Sequence, residues 1–153
     1  MKKVKCNQCV KKYKQLGSHW GRSSCSYPSF SERQKEIITG FLMGDGNINH
    51  IGVNPYFQIM LTERDYLEYL DNIFGVYTTG VSIDRTPEQV AESLRDSGFS
   101  SDCLAENCQT IYKLQSRRTP KLESFVEWYS SGKKVFPQDI QLSPTVLKHW
   151  YVC

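Results

Sequence analysis

At 153 residues, 39% of them hydrophobic and 23% charged, the chain has the length for one principal core and an ordinary water-compatible composition. No apolar run approaches the roughly 20 residues that span a bilayer, and the basic opening Met1-Lys2-Lys3-Val4-Lys5 runs into Cys6 with no hydrophobic signal segment, so a membrane protein is excluded and an intracellular one expected. The net charge of +3 conceals a partition: residues 1–35 carry nine Lys/Arg against one acid, residues 36–106 three against twelve, and residues 107–153 seven against three. Basic ends around an acidic middle suit a polyanionic partner if the ends converge in space.

Residues 1–28 read as a small basic element of their own. Cys6, Cys9, His19 and Cys25 follow the spacing C-x2-C-x9-H-x5-C, close to the arrangements that hold structural zinc with thiolates and one imidazole. So short a stretch has little apolar content, and metal binding would supply folding free energy that burial cannot. Trp20, Tyr13, Leu16 and Tyr27 offer a thin hydrophobic shell. The alternative is a reduced Cys-x-x-Cys in a loose basic tail with His19 an ordinary surface residue. Cys103 and Cys108 lack a companion histidine and read as small packing residues in a loop.

Residues 29–35 read as a linker and helix start. Ser31 with Gln34 three positions on has the form of a capping box, and Phe30 can staple onto the first turn. The helix is predicted from about Glu32 to Gly44, with Ile37, Ile38, Phe41 and Leu42 on its apolar face and Gly40 and Gly44 forming a small-residue stripe for a close helix partner. Gly44-Asp45-Gly46-Asn47 breaks it. Strands are then expected at 47–53 and 56–62, a helix at 63–74 stopped by Gly75, and a strand at 76–85. The acidic segment 86–106 reads as a long connection that holds at most a short helix at Pro87. A fourth strand at 108–117, a helix from Thr119-Pro120, an extended stretch and a last helix opened by Ser143-Pro144 complete the order. This is a mixed α/β arrangement with local hairpins, unlike a doubly wound parallel sheet.

Ile38-Thr39-Gly40-Phe41-Leu42-Met43-Gly44-Asp45-Gly46 resembles the signature of the LAGLIDADG homing endonucleases, and the element order over 36–132 resembles one αββαββα repeat of their fold, with its curved antiparallel sheet. Met43 departs from the acid often found at its position. Residues 133–153, through Lys133-Lys134-Val135-Phe136-Pro137 and Leu147–Val152, resemble the lead-in to a second, truncated copy. The resemblance implies a sequence-specific endonuclease that makes double-strand breaks in DNA with magnesium. Asp45 would be its metal-binding catalytic acid, Lys113 a lysine near the phosphates that helps organise water, and Gly40, Phe41 and Gly44 the motif-helix interface. One Asp supplies too few ligands, so the second carboxylate is expected from a second copy in a homodimer or from a missing second repeat. A binding or splicing-assistance (maturase-like) module without cleavage is the alternative, and a dimerisation module a third reading.

On this fold, period-2 alternation puts Tyr56, Gln58 and Met60 on the face away from Phe57, Ile59 and Leu61. Gln58 and Tyr56, with Asn47 and Asn49, are candidates for groove contact. Ser82, Arg85, Tyr112 and Gln115 are candidates on the second hairpin, and Arg117, Arg118, Lys133 and Lys134 candidates for phosphates. Lys11, Lys12, Lys14 and Arg22 would add phosphate contacts beyond the sheet.

Overall fold

The computed structural model describes residues 3–153. A short hairpin, β1 (Val4–Lys5) and β2 (Lys12–Tyr13), is followed by α1 (Leu16–Arg22). Cys6, Leu16, Trp20 and Cys25 are buried together, with Tyr13, Tyr27 and Val76 packed around them. This cluster is separate from the main core, and it touches the rest of the chain through Tyr27 and Val76.

The main body begins with α2 (Glu32–Met43), whose capping box at Ser31 and Gln34 forms as the spacing predicts. Ile37, Ile38, Phe41 and Leu42 are fully buried because they recur on one helical face. Strands β3 (Asn47–Asn49) and β4 (Tyr56–Leu61) form an antiparallel hairpin. Helix α3 (Arg64–Phe74) follows and is stopped by Gly75, which takes a φ of +53° that a side chain would resist. Strand β5 (Thr78–Arg85), helix α4 (Pro87–Asp96) and strand β6 (Ile111–Ser116) come next, and α5 (Glu123–Val126) and α6 (Pro144–Val152) close the chain. The sheet order is β3-β4-β6-β5 and every pairing is antiparallel. Two irregularities in β5, one at Gly80, interrupt its ladder to β6 and bend the edge of the sheet. Helices and sheet enclose one core of Phe41, Phe57, Phe74, Leu67, Leu70, Ile59, Leu114 and Leu122.

Several expected boundaries shift. The first strand stops at Asn49, because the Gly52-Val53-Asn54-Pro55 turn is longer than a tight hairpin, and the third starts at Thr78 after a 3-10 turn over Gly75–Tyr77. The segment after Arg85 is not simply a connection: α4 runs for ten residues, with a capping box between Thr86 and Gln89 and Pro87 in its first turn. It shows only Ala91 fully buried, and that weak apolar face is why periodicity understates it. The helix expected from Pro120 is instead a succession of short 3-10 and α turns through Tyr129.

Candidate nucleic-acid interface and metal sites

Alternation along the strands sorts the sheet into two faces. Phe57, Ile59 and Leu114 point into the core, while Asn47, Asn49, Tyr56, Gln58 and Met60 lie on the opposite, open face. Register extends that face across the sheet: Gln58 pairs with Gln115, Met60 with Lys113, and Lys113 with Ser82. Asn47, Gln58 and Gln115 therefore make one cross-strand row of amides, each able to donate and accept in a groove. Arg118 adds a cation, its guanidinium 5.1 Å from the centre of the Tyr56 ring.

Two residues grouped with this face by sequence stand elsewhere. Tyr112 pairs with Leu61 on the helix side of the sheet, where Arg64 lies over its ring. One step of register separates it from Lys113, and one step reverses the face. Arg117 donates from Nε to the Val76 carbonyl at 2.9 Å, and burial lowers its pKa, so it braces the turn before β5. Arg85 stays at the end of β5, its Nε 3.6 Å from Asp84. Lys113 is ion-paired with Asp84, Nζ to Oδ1 at 3.0 Å. Only strand register reveals that pair, since the two residues are far apart in sequence.

The motif helix ends at the same sheet. Asp45 is exposed between Gly44 and β3. Its amide and that of Gly46 are taken by the Cys153 and Phe41 carbonyls, at 3.2 and 2.8 Å, so the acid sits in the turn between the helix end and the start of β3. The ammonium of Lys134 donates to the carbonyls of both Gly44 and Gly46, at 2.9 and 2.8 Å. Burial lowers the Lys134 pKa and Asp45 opposes that shift. Lys134 thus holds the peptide units on either side of the acid, a role its place in a basic pair did not signal, whereas Lys133 is exposed.

Gly40 and Gly44 face α6 of the same chain. A methyl group on Gly40 would sit 2.6 Å from the Val146 carbonyl and 2.7 Å from His149 Cβ, and one on Gly44 would sit 2.6 Å from the Cys153 backbone. The stripe expected to receive a partner is therefore covered from within. Phe41 is fully buried in the core, 5.0 Å between ring centres from Phe57, and is no surface residue. On α6, His149 is buried with Nδ1 2.5 Å from the Tyr66 hydroxyl.

In the N-terminal element, the ligand atoms of Cys6, Cys9, His19 and Cys25 all lie within 4.8 Å of one another. The β1–β2 turn presents the first two, α1 presents His19, and the chain leaving α1 presents Cys25. His19 Nε2 is 3.5 Å from Cys9 Sγ, and the ring stacks on Tyr13 at 3.7 Å. Burial pushes the Cys6 thiol up, but backbone amides at its sulfur, Gln8 N–H at 3.5 Å among them, outweigh it and bring the pKa down to about 6. Donors aimed at a sulfur fit a thiolate ligand. Cys103 and Cys108 also approach, 3.4 Å between sulfurs, but no third ligand joins them among the described residues.

The structure thus combines a four-stranded antiparallel sheet that has one polar face with a close helix pair whose first helix ends at an exposed acid. Residues 35–153 match the LAGLIDADG DNA endonuclease family, and the chain belongs to it. Among solved structures it is similar to the homing endonuclease I-WcaI bound to its DNA recognition sequence, with a TM-score of 0.66 and 15% identity. That match covers 91% of this chain and 56% of the other, so the chain spans just over half the length of that relative. No curated protein matches the sequence. Among the described residues no helix is long and apolar enough to cross a membrane.

Proposed function

We propose that this chain is the DNA-reading and half-catalytic unit of a sequence-specific homing endonuclease that makes metal-dependent double-strand breaks. The observation that carries this reading is the end of the helix pair: the Asp45 amide donates to the Cys153 carbonyl at 3.2 Å, so α2 and α6 finish side by side just ahead of edge strand β3. A second acid placed at the end of α6 would stand beside Asp45. It would come from a following residue of a longer chain or from a second copy. Coverage of the Gly40/Gly44 stripe by α6 favours the first source, since a second copy would have to displace that helix.

Asp45 fits a divalent cation as one ligand and not as a whole site. Its carboxylate is exposed and has no ion pair among the described residues, but the adjoining Gly44 and Gly46 carbonyls are held by Lys134. A bound magnesium ion would polarise the scissile phosphate and lower the pKa of water. The chain's own residues do the rest: Asn47, Gln58 and Gln115 read base edges, Arg118 holds backbone, and Lys113 stands ready to order water or phosphate. Zinc at Cys6, Cys9, His19 and Cys25 is structural in this reading, because four protein ligands leave no open position.

The test is selection of bound and cleaved duplexes from a random library in magnesium, with Asp45→Asn as control. The selection is run on this chain and on one extended past residue 153. Metal-dependent cutting by the extended chain, lost in the control, is expected. Specific binding without cutting in either form would instead support a DNA-binding or splicing-assistance module, and absence of binding would sink both.

A further inference from the structure

The Cys/His element and the sheet leave a cleft of about 560 Å³ between them. Lys14, Gln15 and Arg22 line it from the element, and Asn54, Gln115 and Arg118 from the sheet side. We propose that this cleft binds the phosphate backbone of duplex DNA flanking the segment lying on the sheet. The inference rests on the reading that the open face binds DNA, and it adds a second, zinc-organised contact.

Charge comes first. Residues 3–28 contain Lys3, Lys5, Lys11, Lys12, Lys14 and Arg22 and no acid. Among the described residues none of these cations is within 4.0 Å of a carboxylate. Three thiolates would overcompensate one divalent zinc by a single negative charge, so the element stays strongly positive with its metal bound. Unpaired cations on a small body are costly by mutual repulsion and are offset by a polyanion.

Position comes second. Gln115 belongs both to the cleft wall and to the row it forms with Asn47 and Gln58. Arg118 lines the cleft while its guanidinium lies over Tyr56 on the open face. A duplex lying on that face therefore continues into the cleft without a gap. The walls are also fixed relative to one another: Asn54 Nδ2 donates to the Tyr27 hydroxyl at 3.2 Å, and Val76 packs into the Cys6–Trp20 cluster. Lys11 and Lys12 are not part of the cleft lining, so the geometry narrows a general basic element to Lys14 and Arg22.

Phosphate contact has a thermodynamic signature, because each neutralised phosphate releases counterions and adds about 0.9 to the slope of log K against log salt. The experiment measures that slope for the zinc-loaded chain on a 30-base-pair random-sequence duplex, with metal content checked in every variant. Lys14→Gln/Arg22→Gln is expected to lower the slope by about 2, and affinity at low salt by about tenfold or more. Lys14→Arg/Arg22→Lys keeps the charges and should keep the slope. Lys148→Gln, an exposed residue on α6 over Tyr69, should leave it unchanged. An unaltered slope in the neutralised, metal-loaded variant would overturn the cleft site while leaving the sheet reading intact. Loss of slope in the charge-preserving pair would also overturn it, since the effect would then be structural. No binding by the unmodified chain would remove the DNA reading itself.

Discussion

Gly40 and His149 face each other so closely that a methyl group on the glycine would sit 2.7 Å from the histidine Cβ. Helices α2 and α6 therefore meet backbone to backbone, and the ends of both are delivered to one edge of the sheet. Gly40→Ala is expected to force this pair apart at a cost of about 1–3 kcal/mol, as overpacking in a filled core does. Urea unfolding should show a lower midpoint with an unchanged m-value, and proteolysis should become faster at 131–143, ahead of α6. A variant as stable as the parent would mean that α6 does not lie on this stripe.

The Lys134 ammonium makes a second, independent claim about the same edge. Its two bonds satisfy the carbonyls flanking Asp45, and Lys134→Met would leave both exposed to imperfect solvation. Loss of a charged donor to partly buried acceptors costs about 1–3 kcal/mol. The expected result is a destabilised chain in which hydrogen exchange quickens at Gly46 and Asn47 while the far strands are unaffected. Lys134→Arg should recover part of the protection. Uniform protection across the sheet in the Met variant would show that Lys134 is merely a surface cation.

Helix α2, its cap and the core face of β4 were legible because each rests on local periodicity: Ser31 and Gln34, Ile37 through Leu42, Phe57 and Ile59 announce themselves by spacing alone. Which side of β6 lies open was not, since alternation separates Tyr112 from Lys113 and Gln115 but only the pairing to β4 decides which of them meets the core. The Lys134 contact joins residues 90 positions apart, so no window of sequence contains it. The four metal-ligand candidates were readable because thiolates and imidazole at these intervals are rare in combination, although the hairpin that carries Cys6 and Cys9 has strands of only two residues.

That hairpin leads to a prediction about metal. Among the described residues the N-terminal element buries only Cys6, Leu16, Trp20 and Cys25, too few groups to hold it together, whereas structural zinc contributes about 10–16 kcal/mol in comparable small elements. The purified chain should contain one zinc, and Cys25→Ser or a strong chelator should release it. Amides of α1 should then lose exchange protection while those of α2, β4 and β6 keep theirs. Protected α1 amides in metal-free protein would contradict a zinc-dependent fold.

Acid should loosen the helix pair through His149. The imidazole is buried on α6, with Tyr66 and Tyr69 on one side and Lys148 and Arg33 adding positive charge, and burial lowers its pKa from 6.5 to about 4. Below pH 6.5 the unfolded chain takes up a proton that the folded chain refuses until about pH 4. Stability from this group is therefore complete above the unfolded value and falls as the pH drops through the interval between the two. Between pH 7 and pH 5 the expected loss is about 2 kcal/mol, from 1.36 kcal/mol per unit. Urea midpoints at the two pH values should differ by that amount in the parent chain. In His149→Gln the titration of this site is gone, so the difference should shrink to what the carboxylates contribute. An equal acid sensitivity in both proteins would place the titrating group elsewhere and leave His149 a passive filler against Gly40.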